Sequence, residues 1–97
     1  MHIVTVLFTI HAAHWQAFKE AMHANAATSL ATESGCRQFD VCEGLPGTYT
    51  IFLYEVYDAE ADFKVHLNAD HFLSFNAISA PWVIDKQVQV FSRTSAV

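Results

Sequence analysis

Five side chains in this 97-residue sequence could do proton chemistry together: Asn25, Ser29, Glu55, His66 and His71. Asn25 and Ser29 continue the stripe that Trp15, Phe18 and Met22 begin, at spacings of three and four, so an apolar helix face ends in two uncharged polar groups. Glu55 stands in "TYTIFLYEVY" on the face shared by Tyr49, Ile51, Leu53 and Tyr57. A carboxylate turned inward there needs a hydrogen-bonding or cationic partner. At a strand end facing solvent it would need none, and Tyr54 and Val56 would be the inward pair.

His66 shares a helix face with Asp62 and Phe63, which makes it the expected partner of an inward Glu55. A histidine paired with a buried carboxylate has one tautomer selected and its basicity raised, the arrangement of a general base. The bland alternatives are a satisfied core histidine and an asparagine that bonds backbone near its helix end. His71 follows His66 by five residues, about 140° around a continuous helix, which discounts a zinc pair on one uninterrupted face. With Asn68 or Asp70 as a cap, the chain could bend there and return His71 to a pocket rim. His2, His11, His14 and His23 fall at element ends or on polar faces and read as solvated. No metal set emerges.

The elements that must position these groups follow from periodicity. "HIVTVLFTI" alternates as a strand with Val4, Val6, Phe8 and Ile10 on one face. "AAHWQAFKEAMHANAATSLATE" is helical, with Gly35 placed to stop it. "RQFDVCEG" and "TYTIFLYEVY" form a hairpin around "LPG". "DAEADFKVHL" restarts a helix with Asp58 as N-cap, "NADHFLSFNAIS" continues it or begins another, Pro81 ends the helical region, and "VIDKQVQVFSR" is the last strand. The order βαββαβ describes a ferredoxin-like α+β sandwich of residues 1–97, a four-stranded antiparallel sheet with its helices on one face.

Composition bounds the partners. Apolar residues make up 53% and aromatics 13%, high for a chain of this size, so the second sheet face is expected to be covered by another copy in a homodimer. A net charge of −5 with five scattered basic residues argues against nucleic acid and anionic membranes. The N-terminal apolar run lacks a basic start and is too short to span a bilayer, which points to the cytoplasm. Cys36 and Cys42, six apart in one strand, lie roughly 20 Å from each other and read as free thiols.

With "ESGC" after the first helix, "FDV" in strand two, "YEVY" in strand three and "HLNADHF" in the second helical region, the chain resembles the antibiotic biosynthesis monooxygenase family. That resemblance implies a dimeric ferredoxin-like α/β barrel, a pocket between helices and sheet, and no metal, flavin or haem. It implies Asn25, Glu55, Tyr57, His66 and His71 as site positions; Ser29, and Phe39 in "FDV", join the substrate-binding set. The expected activity is cofactor-free monooxygenation of a quinol or similar aromatic. In it His66, oriented by Glu55, removes a proton, Asn25 donates to the developing oxyanion, and O₂ takes the electrons. The same base would serve an isomerase of a phosphorylated hydroxy-dione. Such a substrate wants basic residues at the mouth, and Lys86 and Arg93 are the ones strand four offers. A non-catalytic, ligand-binding dimer is the third reading.

Overall fold

The computed structural model describes residues 1–95. Strand β1 (His2–Ile10) leads through a 3₁₀ turn into helix α1 (Trp15–Thr32), and β2 (Cys36–Glu43) and β3 (Thr50–Tyr57) form the hairpin. Helices α2 (Glu60–Asn68) and α3 (Asp70–Ser79) precede β4 (Val83–Ser92). The sheet is antiparallel in the order β2-β3-β1-β4, so the two strands richest in β-branched and aromatic residues are central, where ladders on both sides satisfy their backbones. This is the ferredoxin-like α+β fold.

The inner face of the sheet is set by alternation. Val4, Val6, Phe8 and Ile10 of β1 are buried, and so are Ile51, Leu53, Glu55 and Tyr57 of β3. The register pairs Val4 with Glu55 and Phe39 with Glu55, which places the carboxylate mid-sheet under the helices. From α1, Phe18, Met22, Asn25, Ala26 and Ser29 descend onto that face. On β4, Lys86, Val88 and Val90 pair with Phe8, Val6 and Val4 and share their side of the sheet, yet Val88 and Val90 are about half exposed. The helices leave the inner face of β4 open, and a cavity reaches the surface there.

Three local expectations change. Helix α1 ends at Thr32, and Glu33 turns to extended backbone (φ −95, ψ 108) before Gly35 is reached. Gly35 serves a different purpose: a Cβ there would collide with the Asp62 carboxylate of α2. Asp58 is not the N-cap of α2, because Arg37 holds it in a two-pronged ion pair at 2.7 and 2.8 Å. Ala59 occupies the cap position, and its N–H donates to Asp62 at 3.0 Å. Tyr49 is not in β3; it takes a left-handed turn conformation (φ 52) and packs edge-on against Trp15.

Candidate functional site

His66 is 2% exposed and sits between two carboxylates on opposite edges of its ring. Its Nδ1 lies 2.8 Å from Glu33 Oε2, whereas its Nε2 is 4.0 Å from Glu55 Oε1, beyond hydrogen-bond range. The orienting partner is therefore Glu33, where the sequence pointed to Glu55. An ionised carboxylate only accepts, so Nδ1 carries the proton and Nε2 presents its lone pair on the side of Glu55. Ser29 lies beneath the ring, its Oγ 3.5 Å from Nδ1 and donating to the Asn25 carbonyl at 2.8 Å.

The same Glu33 Oε2 takes a second histidine, His71 Nε2, at 2.5 Å. The helix break that makes this possible falls at Ala69, whose extended backbone (φ −72, ψ 142) separates α2 from α3 with no side-chain cap. Neither expected cap is used, and Asn68 instead donates to the Lys64 carbonyl. The angular argument for a continuous helix thus does not apply, and the two imidazoles converge. Glu33, His66 and His71 present ligand atoms within 4.8 Å of one another, the donor set of a metal centre. Their 2.5 and 2.8 Å separations are those of two N–H groups on one oxygen.

Glu55 is buried beside its own donor, the Tyr57 hydroxyl, at 2.6 Å. Burial pushes its pKa up to about 7, against the opposing pulls of that hydrogen bond and of Lys86. Burial also holds His66 below the usual histidine range, opposed chiefly by Glu33. Near neutral pH the site therefore contains a neutral imidazole and a carboxyl group poised between its two forms. The Cys36 thiol is raised to about 11 by burial and then by Glu33 and Glu55, which leaves it unreactive.

A cavity of about 270 Å³ opens beside these groups, lined by Asn25, Phe39, Glu55 and His66 and otherwise by apolar side chains and Lys86. Of the sequence-predicted positions, those four meet on it. Tyr57, fully buried, stands behind Glu55. Ser29 supports the ring from within α1. His71 reaches the site through Glu33 and lines a shallower neighbouring hollow, which Asn25 also borders. Asn25 Oδ1 and Glu33 Oε1 are buried without a partner among the described residues, a loss of about 1–3 kcal/mol each unless a ligand or water meets them. Glu33 was the residue missed, although it stands four beyond Ser29 on the same helical stripe. Two other placements shift: His2 is half-buried against Phe63, and Arg93 lies across the sheet, donating to the Tyr54 hydroxyl at 3.3 Å.

The sheet topology agrees with the comparisons. The sequence profile of the antibiotic biosynthesis monooxygenases matches residues 1–78, and the chain belongs to that family. Among solved structures it is similar to a protein of Nitrosomonas europaea named as a candidate antibiotic biosynthesis monooxygenase (24% identity, 98% of this chain and 100% of that one, TM-score 0.92). It is likewise similar to Rv0793 of Mycobacterium tuberculosis (20% identity, 98% and 96%, TM-score 0.89). A Deinococcus radiodurans protein, also named as a candidate of this class, matches at 18% identity over 100% and 96% with TM-score 0.90. At these identities the likeness is one of fold. No curated protein matches by sequence. Among the described residues no helix is long and apolar enough to cross a membrane.

Proposed function

We propose that this protein is a cofactor-independent monooxygenase acting on a hydroquinone or similar electron-rich small aromatic, with His66 as the general base. The observation that carries the reading is the buried His66 ring, locked through Nδ1 by Glu33 at 2.8 Å, so that its free nitrogen serves an apolar cavity. There Nε2 takes the proton of a ring hydroxyl, and Glu33 stabilises the imidazolium that forms. The Asn25 amide meets the substrate oxygen. The resulting phenolate gives one electron to O₂, and the semiquinone and superoxide combine at a ring carbon. Loss of water from the peroxide then leaves one oxygen in a hydroxyquinone and the other in the water. Hydroquinone plus O₂ thus gives hydroxyquinone plus H₂O, with no outside reductant.

The isomerase reading uses the same base, but its phosphorylated substrate needs several donors at the mouth. Lys86 is the one cation lining the cavity among the described residues, and Arg93 belongs to the opposite side of the sheet. The aromatic lining favours the quinol. The working form in this proposal is a cytoplasmic homodimer in which a second copy covers Leu7, Phe52 and Phe91. These lie on the sheet face away from the helices and are 37–49% exposed.

Turnover of hydroquinone under isotopically labelled O₂ tests the activity. One labelled atom is expected in the quinone product; its absence, or the absence of enzyme-dependent product, contradicts the oxygenase reading.

A further inference from the structure

Four of the five basic side chains have a polar partner. Lys19 pairs with Glu43 at 3.3 Å, Arg37 with Asp58 at 2.7 Å and Lys64 with Glu60 at 3.7 Å, and Arg93 donates to Tyr54 at 3.3 Å. Lys86 has no hydrogen-bond or ion-pair partner among the described residues. Its ammonium group lies instead over two rings, 5.4 Å from the centroid of Phe8 and 6.0 Å from that of Phe72. Both rings, and Lys86 itself, line the cavity. Rings in this position attract the cation weakly and leave its N–H donors unsatisfied on the open side.

The cavity is thus polarised along its depth. Asn25, Glu55 and His66 are at its buried end, and Lys86 lies on the open inner face of β4, opposite Phe8 in register. Five phenylalanines line the space around them. The charge of Lys86 is felt in the site, since it draws down the pKa values of both Glu55 and His66. A substrate that placed a reacting hydroxyl at His66 would lie with its other end beside an unpartnered cation.

We propose that Lys86 is an anion-recognising residue, and that the substrate is a small aromatic that already carries one anionic group, of ring-carboxylate type, at the end facing β4. This rests on the aromatic-substrate reading above and narrows it. A single ammonium matches a monoanion. A phosphate dianion would find one charge and no second cation among the residues lining the cavity. The contact also fixes which end of the ring enters first, and so which hydroxyl meets the base.

Anaerobic calorimetric titration with hydroquinone carboxylate (gentisate), its methyl ester and hydroquinone tests this without turnover. Wild-type protein is expected to bind the carboxylate about tenfold tighter than the ester, the scale of one charge-assisted hydrogen bond. Lys86→Met, which keeps an unbranched apolar side chain and removes the ammonium group, should erase that preference, and Lys86→Arg should retain most of it. Equal binding of acid and ester by wild type, or a preference that survives Lys86→Met, would overturn the proposal while leaving the aromatic reading intact. Failure of all three ligands to bind would overturn both.

Discussion

Glu33 and His66, thirty-three residues apart in sequence, meet at 2.8 Å through Oε2 and Nδ1, and this one contact decides which imidazole nitrogen faces the cavity. His71 approaches the same oxygen at 2.5 Å and is only partly buried. The two neighbours act on the His66 proton with opposite sign. Glu33 favours the imidazolium, and a charged His71 disfavours it. Glu33→Gln is therefore expected to lower the His66 pKa further and His71→Asn to raise it. Histidine ring signals followed by NMR across pH 4–8 (roughly the range in which imidazoles titrate) check both shifts. Movement in the same direction would show that the two do not act through charge on this ring. Glu33→Gln should also reduce kcat by about a hundredfold, because an unoriented base loses most of its advantage.

Glu55 makes stability depend on pH in the reverse of the usual carboxylate sense. Its pKa rises from 4.5 to about 7 on folding, so between those values the folded chain holds a proton that the unfolded chain has lost, and stability falls as pH rises through this window. The difference corresponds to about 3 kcal/mol above pH 7. Glu55→Gln keeps the acceptor for Tyr57 and removes the buried charge. Its denaturant midpoint should match wild type near pH 4.5 and exceed it increasingly towards pH 8. A gap that does not grow with pH would contradict this account of Glu55.

Tyr57 has its own signature, because its hydroxyl donates to Glu55 at 2.6 Å and is held protonated by burial and then by that carboxylate's charge. Removing the donor in Tyr57→Phe leaves a buried acceptor unpaired. A loss of about 1–3 kcal/mol is expected above pH 7, with a smaller loss at pH 5, where Glu55 is protonated. Chemical denaturation at the two pH values measures it.

The proposed dimer predicts that a charge on the outer sheet face separates the copies. Phe52, 39% exposed on that face, is the place to put it. Light scattering should give a dimer for wild type and a monomer for Phe52→Lys, with the far-ultraviolet dichroism retained. A wild-type monomer would remove the second copy from the account.

Much of this site was readable from periodicity, and the failures are informative. Alternation along β3 turned Glu55 inward, and a spacing of three and four carried Asn25 and Ser29 down with Phe18 and Met22. Extending that stripe by four residues reaches Glu33. A glutamate two residues before a glycine at a helix end reads as solvated, however, and nothing local says that α2 will pack over it. A bend returning His71 was legible between the two histidines, but its residue was not: the break falls at Ala69, an extended residue with no capping side chain, for which residue preferences carry little signal. The open face of β4 follows from where the helices pack on the sheet, a tertiary property that strand alternation does not encode.

The central claim is that His66 removes the substrate proton. Oxygen consumption with hydroquinone, followed in an electrode cell for wild type and His66→Ala, tests it most directly. The account predicts enzyme-dependent uptake by wild type and a fall of about a hundredfold or more in His66→Ala, the scale of a lost general base. Uptake that is absent in wild type, or unchanged when His66 is removed, would contradict it.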